Sequence, residues 1–172
     1  MIPPTPNLPF LIEATAPRFL LTHADRTGFD ALRHSLIESY PDQIIRMIRG
    51  ANCHSKESLI DEISAAFQFP LYAGRNWDAL YDLLTDLGWL KKMSPPVATL
   101  LIADADQVLI HADNYADPFF DLLRDCATGG RGHEVSWRIV FQVDRSLPTF
   151  EYRESHLLTR LSAVGITPIA VG

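Results

Sequence analysis

The sequence predicts an α/β fold: a small parallel sheet of three core strands, four or five with the extensions, packed by helices in three layers. Two observations carry this expectation. Val97-Ala98-Thr99-Leu100-Leu101-Ile102 is an unbroken apolar run, the pattern of a parallel strand buried on both faces. Short runs of this kind also alternate along the chain with stretches whose apolar residues recur at three and four. Strands alternating with helices require crossover connections, and these place helices on the sheet faces.

The elements follow in order. Residues 1–17 contain Pro3, Pro4, Pro6, Pro9 and Pro17 without periodicity and read as an arm. Phe19-Leu20-Leu21 is a short apolar run. Phe29, Leu32, Leu36 and Ile37 have the spacing of an amphipathic helix, which Pro41 ends. Ile44 to Ile48 is a strand stopped by Gly50. Ser55 caps a helix whose apolar face is Leu59, Ile60, Ile63, Ala66 and Phe67, with Glu57 in its favourable first turn. Pro70 marks its exit, and Asn76 caps a second helix running to Thr85 or Leu87. Pro95-Pro96 leads into the buried strand. Asp117-Pro118 reads as an N-cap and first-turn proline for a helix burying Phe119, Phe120, Leu122, Leu123 and Cys126, closed by Gly129 and Gly130. Val135, Trp137, Ile139, Phe141 and Val143 alternate with Ser136, Arg138 and Gln142, a strand with one better-buried face and a place nearer a sheet edge. A helical stretch through Leu157, Leu158 and Leu161 precedes Gly165 and a strand from Ile166 to Val171, which Pro168 confines to an edge. The expected division is an extension over 1–43, a domain over 44–143, and a second extension over 144–172 packed on that domain.

Composition narrows the function classes. Apolar residues make up 47% and charged residues 21%, suited to a packed core. No apolar run is long enough to span a bilayer, so no membrane partner is expected. The first residues lack the basic and apolar regions of a secretory leader. Cys53 and Cys126 sit among apolar or small residues and read as buried thiols in a reducing cytoplasm. Fifteen Lys plus Arg (15) against 21 Asp plus Glu leave a net charge of −6, which argues against nucleic-acid binding and suits a basic partner. A monomer is favoured.

The segment Asn76-Trp-Asp-Ala-Leu-Tyr-Asp-Leu-Leu-Thr-Asp86 holds the informative constellation. Trp77, Leu80, Leu84 and Leu87 form one apolar face. Asp78, Asp82 and Asp86, each four apart, project along another, with Tyr81 on the shoulder between the first two. Like charges at this spacing repel, and no lysine or arginine within the helix offsets them. The stripe therefore does not strengthen the helix. Spacing alone reads it as a solvated face or as a surface that meets cations.

Phe69-Pro-Leu-Tyr-Ala-Gly-Arg-Asn-Trp-Asp-Ala-Leu-Tyr-Asp82 resembles the signature of the barstar family at Pro70, Tyr72, Gly74, Asn76, Asp78, Ala79, Leu80, Tyr81 and Asp82. The order of strands and helices over 44–143 is similar too, so the fold is expected to be barstar-like. The resemblance implies an inhibitor of a barnase-like extracellular or toxin ribonuclease, an immunity protein without catalysis or cofactor. In that reading Asp82 anchors in the cationic active site and Asp78 pairs with a neighbouring cation. Tyr72 packs on the nuclease, Gly74 permits the loop turn and Asn76 caps the helix. Tyr81 completes the face, and Asp125, in the pair Arg124-Asp125, adds a peripheral contact. Ala73, Arg75, Tyr81 and Gly129 depart from the family's pattern, which implies an altered rim and a different cognate nuclease. The mechanism needs no chemistry, since a rigid acidic helix competes with phosphate for a positive cleft.

Two alternatives stand beside it. One is an interaction module on the same scaffold whose partner is not a nuclease. The other is a small metal-dependent hydrolase using Asp104 and Asp106, with His111 and Asp113 close by, at the strand end where α/β sheets bind ligands. No glycine-rich phosphate loop or nucleophile motif accompanies those carboxylates. The histidines (23, 34, 54, 111, 133 and 156) show no i,i+4 pair and no Cys-x-x-Cys, so no metal is expected. Gly129-Gly-Arg-Gly132 reads as a helix end and loop, Ser55 and Ser58 as helix-start residues, and the tryptophans as core or rim.

Overall fold

The computed structural model describes residues 17–90, 97–112, 116–129 and 135–171. The proline-rich arm before Pro17, the Pro95-Pro96 pair, Asp113, His133 and the Gly130–Gly132 loop lie outside the described residues.

The elements are β1 (Phe19–Thr22), α1 (Arg26–Ser39), β2 (Ile44–Arg49), α2 (Lys56–Phe67), α3 (Trp77–Asp86), β3 (Val97–Ala103), α4 (Ala116–Thr128), β4 (Ser136–Gln142), α5 (Phe150–Ala163) and β5 (Ile169–Val171). They build one parallel sheet of order β2-β3-β4-β1-β5. Both extensions therefore add a strand to the sheet of the central segment. Ile44 pairs with Ala98, Val97 with Ser136, Phe19 with Ile139, and Leu20 with Ile169.

Strand alternation divides the core into two layers. Ala98, Leu100 and Ile102 of β3, with Trp137, Ile139 and Phe141 of β4, face the larger cluster supplied by α2, α3, α4 and α5. Leu101 and Ala103, with Val140, Leu20 and Ile45, face Phe29, Leu32 and Leu36 of α1. The sheet thus lies between helices on both faces, the three layers the sequence predicts. Ile37, expected on the buried face of α1, is exposed.

Local chemistry sets the helix ends. Asp25 caps α1 by accepting from the Gly28 N–H at 2.7 Å. Ser55 and Ser58 form a reciprocal capping box at the start of α2, each side chain accepting from the other's backbone N–H. Gln68 ends that helix in the left-handed region, and the Phe69 N–H donates to the Ser64 carbonyl at 3.0 Å. α4 begins at Ala116, so Asp117 lies in its first turn rather than at the cap position.

β4 corrects an expectation. Its alternation with Arg138 and Gln142 suggested a place near an edge, yet it lies between β3 and β1 with both faces covered. The polar residues are inside because they bond there. Gln142 is fully buried; its Oε1 accepts from the Asp104 N–H and its Nε2 donates to the Ala24 carbonyl, each at 2.7 Å. The outer position belongs to β5, which starts at Ile169, directly after Pro168, while Ile166 is a core residue.

The ends of β2 and β3 meet closely. Gly50 follows β2, and a Cβ there would overlap the carbonyl oxygen of Asp104. Glu62 of α2 ties the same corner, accepting from the Arg49 N–H at 3.1 Å, the Arg49 guanidinium at 2.8 Å and Asn52 at 3.3 Å. Burial acts to raise the Glu62 pKa, but these donors and the Arg49 charge outweigh it and hold the value below 4.5.

Gly50→Ala should cost about 2–3 kcal/mol by forcing two backbones apart, measured as a lower urea midpoint at unchanged slope. Glu62 should stabilise the fold fully above pH 4.5 and lose that contribution as pH falls through its depressed folded value, because only the unfolded state then still gains from binding the proton. Glu62→Gln should flatten this part of the acid-unfolding curve.

Candidate protein-binding surface

The segment before α3 is a tight loop whose Ala73 N–H donates to the Pro70 carbonyl at 2.9 Å. It leaves Leu71 and Tyr72 projecting, Tyr72 at 87% exposure and Leu71 without cover. Gly74 is exposed and lies close to Ala79, where an added Cβ would stand 3.0 Å from that residue's own. Asn76 then starts α3, its Oδ1 accepting from the Ala79 N–H at 2.8 Å.

The orientation of α3 follows from its buried face. Leu80, Leu84 and the following Leu87 enter the core, and Trp77 packs against Phe119 of α4 at 6.4 Å between ring centroids. Asp78, Asp82 and Asp86 are consequently exposed. Among the described residues none of the three has an ion-pair partner. Asp78 lies in the first turn, where the helix dipole favours it; Asp82 lies deeper and gains little.

The remaining predicted site residues are placed differently. Tyr81 is 8% exposed and belongs to the core cluster. Asp125 is half-buried on α4 and accepts from Arg124 at 2.9 Å, while Arg124 also reaches Asp121 at 2.7 Å and the Val164 carbonyl at 2.9 Å. Arg75 turns towards α2 and pairs with Asp61 at 2.7 Å. The surface held together by the structure is therefore Leu71, Tyr72, Gly74, Asn76, Asp78 and Asp82. Leu71 went unread because an isolated leucine in a loop carries no periodic signal.

The carboxyl edge of the sheet is organised otherwise. Asp104, just after β3, and Asp106 are almost fully buried. Arg153 of α5 donates to both oxygens of Asp106, at 2.6 and 2.8 Å, and to Asp104 at 3.4 Å. Arg26 reaches Asp104 at 3.0 Å, and Arg160 donates to the Val108 carbonyl at 2.7 Å. The Asp106 contact, then Coulombic attraction from both carboxylates, raises the Arg153 pKa against the opposing effect of burial. The metal-hydrolase alternative is corrected here: the two carboxylates are occupied by arginines, and no group of three metal-ligand side chains exists among the described residues. Arg153 lies too far along the chain for sequence spacing to pair it with Asp106.

The decisive comparison is with protein families: the model described as Barstar (barnase inhibitor) matches residues 43–142. The chain belongs to the barstar family. Solved structures broaden the picture of the fold. The Aeropyrum pernix ORC2 protein in its ADP form is similar with a TM-score of 0.57 and 10% identity, over 88% of this chain and 41% of that one. Cdc6p from Pyrobaculum aerophilum is similar with a TM-score of 0.50 and 20% identity, over 90% and 38%. The chain thus spans about two fifths of their length, and at these identities the likeness is one of fold. The comparison with curated proteins found no match.

These findings correct the expected function and partners. The sequence suggested an inhibitor of a barnase-like ribonuclease, partnered by that nuclease and without association with nucleic acid. An ORC2 protein in its ADP form and Cdc6p are similar in fold over nearly nine tenths of the chain, so the scaffold is not tied to nuclease inhibition. Neither the ribonuclease partner nor the exclusion of nucleic acid stands. Among the described residues no helix is long and apolar enough to cross a membrane.

Arg153→Ala should destabilise the protein by about 3–5 kcal/mol, since it strips buried Asp106 of both its bonds to the guanidinium. Arg153→Lys should recover only part of this, because an ammonium cannot reproduce the forked contact. Urea unfolding of the three proteins measures both effects.

Proposed function

We propose that this barstar-family chain is a non-catalytic binding module that docks a basic protein on Leu71, Tyr72 and the acidic face of α3, with Asp78 and Asp82 as the charged contacts. One observation carries the reading: an exposed aromatic and aliphatic tip stands beside exposed carboxylates that have no ion-pair partner among the described residues. Beyond the modest favour Asp78 has at the start of the helix, neither feature serves the fold. Exposed Leu71 and Tyr72 offer the apolar anchor typical of an interface centre. The carboxylates add steering, and once desolvated against guanidinium groups they slow release. Asn76 and the buried leucines hold the helix rigid beforehand, which lowers the ordering cost of association.

We infer that it acts in the cytoplasm. Its two cysteines are free and buried, with both thiols pushed up to about 12 chiefly by burial, so they are inert and suited to a reducing compartment.

The test is affinity capture from host extract with the wild-type chain and with an Asp78→Asn/Asp82→Asn double variant. The wild type should retain a basic protein, less strongly as salt rises. The double variant should bind it at least ~10-fold more weakly, about 1.4 kcal/mol, and Tyr72→Ala should do likewise. Equal capture by the variants would sink the reading. So would calorimetric binding of ADP or duplex DNA, unaffected by the double substitution, in a chain that retains no protein.

A further inference from the structure

A pair of histidines lies away from the α3 surface and takes no part in it. His54 follows β2 and immediately precedes the cap of α2; His111 follows β3. Both stand at the carboxyl ends of adjacent parallel strands, the side on which open α/β sheets receive ligands. Their rings are 5.2 Å apart between centroids, with 75° between planes. The Nε2 of His54 is buried and has no hydrogen-bond partner among the described residues.

Backbone ties hold the two loops in register. The Leu109 N–H donates to the Cys53 carbonyl at 2.7 Å, and the Ala112 N–H closes the turn around His111 on the Leu109 carbonyl at 3.0 Å. Leu109 adopts φ 55°, a left-handed conformation unfavourable for leucine. The capping box on Ser55 fixes the residue next to His54. The two imidazoles are thus presented by constrained backbone, one of them strained.

We propose that His54 and His111 form a two-imidazole site for a divalent transition-metal ion of borderline softness, of the zinc class. The spacing carries the argument. An imidazole nitrogen binds zinc at about 2.0–2.1 Å, which puts the ring centroid about 3.2 Å from the metal. Two such rings at a tetrahedral angle have centroids about 5.2 Å apart, which matches the pair. With the proton on Nδ1, the His54 Nε2 supplies a lone pair that nothing else among the described residues uses. Neighbouring Cys53 is not a ligand: it is buried and its Sγ donates to the Arg49 carbonyl at 3.2 Å. That leaves imidazole and water, a set that suits zinc, nickel or copper rather than magnesium or calcium. Among the described residues no carboxylate or carbonyl bonds the second nitrogen of either ring, so the ion is exchangeable rather than permanently held. Bound, it joins the loop after β2 to the loop after β3.

Zinc chloride alone is titrated into the full chain by calorimetry, with melting temperature and histidine side-chain nitrogen shifts followed in parallel. The expected result is saturable binding of one ion per chain, a rise in melting temperature, and shifts at His54 and His111. His111→Ala and His54→Ala should each weaken binding at least ~10-fold while the apo proteins keep the wild-type circular dichroism spectrum; His156→Ala should leave it unchanged. No saturable binding, or binding that survives both substitutions, overturns the site. Should His54→Ala fail to fold, the exposed His111 substitution and the nitrogen shifts decide the matter.

Discussion

The contact on which the rest of the molecule depends is the forked bond from Arg153 to Asp106, with Asp104 and Gln142 beside it. It lies where β3 leaves the sheet and joins three regions of the sequence. Asp104 and Asp106 come from the central segment, Arg153 from the C-terminal extension, and Arg26, which reaches Asp104, from the N-terminal one. Buried carboxylates are costly unless paired, so these charges bind the extensions to the core only when all of them are in place. Hydrophobic packing supplies most of the driving force, and Leu157 and Leu161 of α5 are part of it. The charged junction adds direction, since an arginine fork fits one geometry.

This arrangement separates the two ends of the site question. The carboxyl edge of a parallel sheet is where ligands ordinarily settle, yet here its central carboxylates are satisfied from within. The α3 surface is the reverse, with charges outside and without ion-pair partners among the described residues. Membership of the barstar family describes residues 43–142, whereas likeness of fold to the ORC2 protein and Cdc6p covers 88% and 90% of the chain. The two are compatible, because a fold can carry unrelated sites on different faces. What sets the candidate surface apart is thus Leu71, Tyr72, Asp78 and Asp82, not the topology.

Much of the fold was legible because its signals are local. The apolar run of β3, the Ser55 and Asn76 caps and the spacing in α2 and α3 each reflect a preference that neighbours along the chain enforce. β4 was misread for the opposite reason. Arg138 and Gln142 have the alternation of a half-exposed strand, and Gln142 sits in the centre of the sheet through its bonds to Asp104 and Ala24, both far from it in sequence. Tyr81 is similar: its position on the helical wheel lies on a shoulder, and packing placed it inside.

The sequence by itself determined the class of fold, the helix starts and the acidic stripe of α3, together with the loop that precedes it, since these depend on residues a few positions apart. Only the tertiary structure decided that Asp104 and Asp106 would be closed by Arg153, that Asp125 would be drawn to Arg124, and that Asp78 and Asp82 would stay without an ion-pair partner among the described residues. It also brought His54 to His111, which no spacing along the chain could announce. The physical reason is common to all of these. A charge or an imidazole acquires its role from what stands within a few ångströms of it, and for groups far apart in sequence the packing of strands and helices sets that distance.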